Sequence, residues 1–292
     1  MNMQISLSVV VPAYNEAPRI VPVLEGLKTV LPDQAYEIIV VDDGSTDGTG
    51  DVASQVEGIC VVRNPQRKGY GGAIKTGTRR AKGKWILFLD ADGQHDPSEV
   101  SKLLVEMDKA DMVIGSRQGE SLRRAGKLVG RRMMRTLAEF LVESTIPDLN
   151  SGLRLVRRDL ILDYISLLPN GFSLSTTLTL ALIKAGHTVV FVPVTVNVRE
   201  GGASRVRIFR DGVRTVMLMV RIITMFNPLK IFLPISCFLW FVGFVYLFEE
   251  IIRVFNIADG AVLLIIGGTI LFFFGILADQ LSTLRRENQR RE

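Results

Sequence analysis

Two stretches near the C-terminus, residues 231–248 and 261–278, each run for eighteen positions without a charged side chain. A run of roughly this length can cross the hydrocarbon core of a bilayer, where only helices and closed barrels satisfy their own backbone. Twelve residues, 249–260, separate the two runs, which predicts a transmembrane hairpin over residues 229–281 with spans at about 229–249 and 260–280. The positive mean hydropathy of +0.28 owes much to this segment.

Charge orients the hairpin. Arg205, Arg207, Arg210, Arg214, Arg221 and Lys230 precede the first span and Arg285, Arg286, Arg290 and Arg291 follow the second, with Arg253 alone between them. The positive-inside rule then places both termini, and the large N-terminal part, on the cytoplasmic face. Residues 1–8 carry no basic region, apolar run and small-residue cleavage site, so no cleavable signal is expected there. The net charge of +5 comes with cations gathered beside apolar segments, a pattern suited to an anionic lipid bilayer and not to nucleic acid. Cys60 falls in an expected cytosolic strand and Cys237 in a membrane helix, so a disulfide framework is excluded.

The N-terminal part alternates strands with helices. Strands are expected at 6–12, 37–41, 58–63, 85–89 and 111–116; Pro18 opens a helix carrying Ile20, Val23, Leu24, Leu27 and Val30 on one face. Asp96-Pro97-Ser98-Glu99 reads as the capped start of another helix. Such alternation predicts an α/β domain, a doubly wound, mostly parallel sheet. Farther on, 173–185 reads as a helix, 188–198 as a strand and 199–205 as a mobile loop able to act as a lid.

Polar groups gather where the strands stop. Tyr14 and Glu16 follow the first strand, Asp43 the second, Asp90 and Asp92 the fourth, and Arg117 the fifth. In a parallel sheet these ends share one edge, where open α/β sheets bind ligands. Asp90-Ala91-Asp92-Gly93-Gln94 ends an apolar strand with two carboxylates and an amide, hard oxygen ligands for a divalent cation such as Mg2+ or Mn2+ that would in turn hold a diphosphate. A polar turn is the alternative reading of the same residues. The glycine-rich Lys68-Gly69-Tyr70-Gly71-Gly72 is not a Walker loop, since Ile74 and not glycine precedes Lys75-Thr76. Lys68 and the helix start beside it either meet phosphate or ribose or serve close helix packing.

Residues 122–142 form an expected basic amphipathic helix with Arg123, Arg124, Lys127, Arg131, Arg132 and Arg135, and 206–228 a second amphipathic segment. Both are suited to lie on an anionic membrane surface. The domain reading is therefore a cytosolic domain at 1–205, an interface helix at 206–228, the hairpin at 229–281 and a basic tail at 282–292.

Val11-Pro12-Ala13-Tyr14-Asn15-Glu16, Val41-Asp42-Asp43-Gly44-Ser45-Thr46-Asp47, Asp90-Ala91-Asp92-Gly93-Gln94, Gly115-Ser116-Arg117 and Asn150-Ser151-Gly152-Leu153-Arg154 occur in the order and spacing of glycosyltransferase family 2, which the chain resembles. With its paired C-terminal spans it is similar to polyprenyl-phosphate glycosyltransferases of the dolichol-phosphate mannose synthase type. The resemblance implies a GT-A-like fold and metal-dependent, inverting transfer of a sugar from a GDP- or UDP-linked donor to a dolichyl or undecaprenyl phosphate. It implies that Pro12, Tyr14, Glu16 and Asp43, with Lys68 and Ala91 nearby, hold the nucleotide-sugar, and that Asp90, Asp92 and Gln94 hold the metal. Arg117 and Arg131 would receive the lipid phosphate, Arg205 would close over both substrates, and Asp148 and Arg154 would belong to the acceptor side. Some relatives carry an acid where this chain has Leu153, so no general base is placed there.

Two rivals share these motifs. A processive polysaccharide synthase would add a Gln-x-x-Arg-Trp motif, which neither Trp85 nor Trp240 supplies, and more spans, although a homo-oligomer would multiply the two present. An inactive nucleotide-sugar-binding scaffold on the membrane would be expected to have lost Asp90, Asp92 or Arg205, and all three are present.

Overall fold

Every residue of β1 (Leu7–Ala13) is buried, as an apolar strand covered on both faces must be. The computed structural model describes residues 5–31, 36–117, 136, 139, 143–149, 151–196, 217, 228–254 and 258–289. β1 pairs in parallel with β2 (Tyr36–Asp42) on one side and β4 (Trp85–Phe88) on the other, and β2 pairs in parallel with β3 (Ile59–Arg63). Beyond β4 the sheet continues through β6 (Arg154–Arg157), β5 (Met112–Arg117) and β7 (Val189–Val194), giving the order β3-β2-β1-β4-β6-β5-β7. β6 runs antiparallel to both of its neighbours, and β5 pairs in parallel with β7. The expected α/β, mostly parallel sheet is present, with one reversed strand that the alternation of elements did not announce.

Alternate residues of each strand feed two cores. On one face Val9, Val11, Ile38 and Val40 meet Ile20, Val23, Leu24 and Leu27 of α1 (Ala17–Val30). On the other, Val10, Ile39, Val41, Ile86 and Phe88 meet α3 (Tyr70–Arg80), α5 (Arg158–Tyr164) and α6 (Leu174–Lys184). Short helices α2 (Thr49–Ser54) and α4 (Val100–Val105) complete the layers. Each side chain of this size taken out of water contributes about 1.5–3 kcal/mol. The two filled faces fix the register and so fix what stands at the strand ends.

Several element boundaries differ from expectation. The fourth strand ends at Phe88, although Leu89 still donates its N–H to the Val10 carbonyl at 3.3 Å. Asp96 caps as expected, accepting the Ser98 N–H at 2.9 Å, but a 3-10 turn over Pro97–Glu99 precedes α4. The strand expected at 188–198 ends at Val194, and Val196 makes only an isolated antiparallel bridge to His95. The basic segment 122–142 with Arg131, the loop with Arg205 and the segment 206–228 lie outside the described residues except for positions 136, 139, 217 and 228.

The chain divides into two compact units, Met1–Thr215 and Val216–Glu292. In the second, α7 (Leu229–Val254) and α8 (Asp259–Gln289) form a helical hairpin. Both are long and apolar enough to cross a membrane, and their apolar stretches are mostly unburied. Phe238, Phe241 and Phe248 point outward. Between the helices the Trp240 indole N–H donates to Thr269 Oγ1 at 3.1 Å, and that hydroxyl donates back to Ile265 O at 2.9 Å.

Candidate active site

β1 and β2 end level, with Ala13 opposite Asp42, so the loops carrying Tyr14 and Asp43 leave the sheet side by side. Hydrogen bonds tie these loops together. Asn15 donates its N–H to Ser45 Oγ at 3.0 Å and accepts the Thr46 N–H at 2.9 Å. The Glu16 N–H donates to Thr49 Oγ1 at 2.9 Å, and the Thr49 hydroxyl donates in turn to Asp47. Asn15 takes a left-handed φ of 55°, a conformation its short amide tolerates better than most side chains. Pro12 is buried in β1, Glu16 is 6% exposed and pairs with Arg19 at 2.8 Å, and Tyr14 lies under the Arg67 guanidinium at 4.0 Å from the ring centroid.

Asp43 is 3% exposed and organises the next loop. Its carboxylate accepts from Asn64 Nδ2 and Lys68 N, both at 2.9 Å, and from Gly69 N at 2.8 Å. The Lys68 side chain is exposed. The glycines after it answer the packing alternative: a Cβ on Gly71 would run into the Pro169 carbonyl, so close approach of residues 169–171 requires glycine there.

Asp90 and Asp92 leave β4 differently. Asp92 is half-buried and accepts the Gln94 N–H at 3.1 Å, across a turn in which Gly93 adopts φ 72°. Asp90 is also half-buried, but its Oδ1 is shielded from solvent and has no hydrogen-bond partner among the described residues. Burial first, and then the negative charge of Asp92, push the Asp90 carboxyl up to about 7, against the opposing pull of the Tyr70 hydroxyl, Arg117 and Arg154. A Cβ on Gly152 would land on the Asp90 carboxylate, so the backbone at Gly152 backs directly onto this acid. These groups fit a divalent cation: an orphaned buried carboxylate oxygen, a second carboxylate two residues on and the Gln94 amide are hard oxygen donors. Among the described residues no three His, Cys, Asp or Glu side chains gather as a metal site, which leaves the amide and a ligand's own oxygens to complete the shell.

Arg154, expected on the acceptor side, is 1% exposed. It donates to Ser151 O at 2.7 Å, Ser175 O at 3.0 Å, Thr179 Oγ1 at 2.6 Å and Leu149 O at 2.9 Å. Those partners hold it behind Asp90 and away from the cleft surface. Burial lowers its guanidinium to about 10, with Tyr70, Asp148 and Asp90 opposing, so the cation persists near neutral pH. Leu153 lies in the core with Leu155 and Val194.

Arg117, at the end of β5, is gripped by Asp148. Nε donates to Oδ2 at 2.6 Å and Nη2 to Oδ1 at 2.8 Å, a bidentate pair whose side chains are 23% and 4% exposed. The hydrogen bond to Asp148 raises the Arg117 pKa above its already high ordinary value. His95 is 4% exposed; burial first, then Arg117, depress it to about 4, so it is neutral near pH 7. His187 stands apart, 3.4 Å from Asp111.

The described part of the cleft thus brings Asp90 together electrostatically with Asp92, Arg117 and Arg154, while Arg131 and Arg205 lie outside the described residues. Three participants were not expected from the sequence. Tyr70 reads as part of a glycine-rich loop, yet it stands within electrostatic reach of Asp90 and Arg154. Ser175 and Thr179, four residues apart on an apolar helix, are the signal that could have disclosed a buried polar partner on that helix face.

Residues 8–165 match the model of Glycosyl transferase family 2, and residues 227–284 match that of the GtrB C-terminal hairpin. The chain is 33% identical over 213 residues to the polyprenol monophosphomannose synthase of Mycolicibacterium smegmatis, covering 68% of this chain and 79% of that one. It is 29% identical over 209 residues to the undecaprenyl-phosphate mannosyltransferase of Micrococcus luteus, covering 67% and 85%. A solved structure of glucosyl-3-phosphoglycerate synthase from Mycobacterium tuberculosis, in complex with Mn2+, uridine-diphosphate and glucosyl-3-phosphoglycerate, has the same fold. It aligns with a TM-score of 0.59 at 22% identity over 74% of this chain and 79% of that chain.

Proposed function

The chain belongs to glycosyltransferase family 2, and from that premise we propose that it moves a hexose from a nucleotide-sugar to a membrane polyprenyl phosphate. The observation that carries the reading is the pairing of opposites at one sheet edge: the Asp90 carboxylate, coupled to Asp92 two residues on, stands within electrostatic reach of Arg117, a cation locked by Asp148. Such a site has one half suited to a metal-bound diphosphate and another to a second anion. The relatives named for polyprenol and undecaprenyl-phosphate mannose transfer support a lipid phosphate as that anion, and the hairpin at 227–284 supports a chain that spans the bilayer with both termini cytoplasmic.

On this reading Asp90, Asp92 and Gln94 would hold Mg2+ or Mn2+, and the cation when bound would neutralise the charge left on the departing nucleoside diphosphate. Tyr14 and the loop tied by Asp43 border the nucleotide. Pro12 and Glu16 support that loop from within. Lys68 stands exposed at the start of α3, a cation available to the diphosphate. Arg117 takes up the acceptor phosphate, with Arg131 and Arg205 assigned by their motif positions. A phosphate oxygen is already anionic near neutral pH, so it attacks the anomeric carbon with no proton to give up and needs no base at the position of Leu153. One in-line displacement forms the new C–O bond as the bond to the nucleoside diphosphate breaks, and inverts the anomeric centre. What the protein supplies is orientation and fixed charge.

The test is transfer from labelled GDP- and UDP-linked hexoses to short polyprenyl phosphates, with Mn2+ or Mg2+, by the full chain in detergent. A lipid-linked monosaccharide is expected. No product with any donor would sink the proposal, and an elongated polymer would turn it into a synthase.

A further inference from the structure

Arg67 is an exposed residue of the loop between β3 and α3, and its neighbours set where it stands. On both sides of it the loop is pinned to Asp43, through Asn64 Nδ2 at 2.9 Å and through the N–H groups of Lys68 at 2.9 Å and Gly69 at 2.8 Å. Its own backbone lies against the turn after β2: a Cβ on Gly44, which holds a left-handed φ of 75°, would stand 3.2 Å from Arg67 N. That turn is tied to the loop after β1 through Asn15, Ser45 and Thr46. Three loops therefore meet, and the Arg67 guanidinium comes to rest over the Tyr14 ring, 4.0 Å from its centroid. The negative face of the ring attracts the cation. Among the described residues this guanidinium makes no ion pair and donates no hydrogen bond, so its fork of N–H groups is left for a ligand.

We infer that Arg67 reads the nucleobase of the donor, and that the base it selects is guanine. This rests on the donor-site reading above, in which Tyr14 and the loop tied by Asp43 border the nucleotide. A planar guanidinium presents paired N–H groups in a fixed geometry. Guanine answers with two neighbouring acceptors, O6 and N7, whereas adenine sets an amino donor beside its N7. Uracil separates its two carbonyls by an N–H and offers a fork no such pair. Nor is Asp43 available to accept that N–H, because its two oxygens already take the donors of Asn64, Lys68 and Gly69. The edge of the site next to Tyr14 is thus rich in donors and poor in free acceptors, which favours the base with an acceptor pair. Lys68, next in sequence, carries a point charge suited to the diphosphate; discrimination between bases falls to the fork of Arg67.

The experiment is calorimetric titration of the full chain in detergent, with Mn2+ present, by GDP, UDP and 7-deaza-GDP, in which carbon replaces the guanine N7. The native chain should bind GDP about tenfold to a hundredfold more tightly than UDP, and about tenfold more tightly than 7-deaza-GDP. Arg67→Lys keeps the charge and loses the fork. It should bring GDP and 7-deaza-GDP to within about twofold of each other and leave UDP within about threefold of its native affinity. A native chain that binds 7-deaza-GDP as well as GDP, or UDP more tightly than GDP, overturns the assignment. So does an equal loss of GDP and UDP in Arg67→Ala that Arg67→Lys restores, since Arg67 is then a phosphate contact. If the native chain binds none of the three, the donor-site reading itself fails, and the assignment with it.

Discussion

Replacing Asp148 by asparagine keeps the shape of the side chain and removes its charge, which tests how firmly Arg117 is held. The carboxylate now takes Arg117 Nε at 2.6 Å and the Arg117 backbone N–H at 3.3 Å on Oδ2, and Nη2 at 2.8 Å on Oδ1. Asparagine offers one acceptor and turns an N–H2 group toward the other donor, so one bond is lost and a repulsion replaces it. A hydrogen bond to a charged group is worth about 1.5–3 kcal/mol. Removing one partner of a fully buried pair costs about 3–5 kcal/mol, but solvent reaches this one. With the two side chains 23% and 4% exposed, an expected loss of about 2–3 kcal/mol follows. For a domain of roughly 200 residues that is a fall in Tm of about 4–12 °C. The assay pairs thermal unfolding of the full chain in detergent with transfer at saturating donor and varied polyprenyl phosphate. KM for the acceptor should rise, because the guanidinium loses its fixed direction, while KM for the donor moves little. Unchanged Tm together with an unchanged acceptor KM would refute the claim that Asp148 sets Arg117.

Other expectations follow from single contacts. Asp92→Ala should abolish transfer and leave membrane insertion intact; full activity would remove Asp92 from the site. Gly152→Ala puts a methyl where the Asp90 carboxylate stands, and should cost Mn2+-dependent thermal stabilisation while changing the metal-free Tm less than the metal-bound one. Asp47 caps two loops through the Ala17 and Thr49 N–H groups and the Thr49 hydroxyl. Its slight burial acts to raise its pKa, but those hydrogen bonds outweigh it and hold the carboxyl below its ordinary value of 3.8. The group is therefore stabilising above the unfolded-state pKa, and that contribution is lost as pH falls through the lower folded value. The Tm gap between the native chain and Asp47→Asn should be full at pH 5–7 and close below about pH 3.5; a constant gap down to pH 2 would contradict the linkage.

The strand ends were legible because parallel strands are apolar on both faces and stop abruptly where the sheet stops. Tyr14, Asp43, Asp90 and Arg117 could be assigned to one edge on that ground alone. The reversed β6 was not legible: Arg154–Arg157 is a four-residue strand, too short for its period to carry direction. Nor was the burial of Arg154, since an arginine in a polar motif reads as a ligand contact until the carbonyls of Leu149, Ser151 and Ser175 are seen around it. Tertiary packing decided both. Asp43 differs again, for its position was expected, while its three loop hydrogen bonds depend on where residues 64–69 fold back.

The position of β6 bears on how the molecule is made. β4 and β5 are not neighbours; the strand that joins them, Arg154–Arg157, is synthesised after residues 118–153. At a translation rate of about 5–20 residues per second, the emerging chain waits on the order of seconds with the β4 edge bare and β5 unable to join the sheet. An open edge of this kind is a template for wrong pairing. In the finished sheet, that one four-residue strand is what holds the strand carrying Asp90 and Asp92 and the strand carrying Arg117 in register with each other.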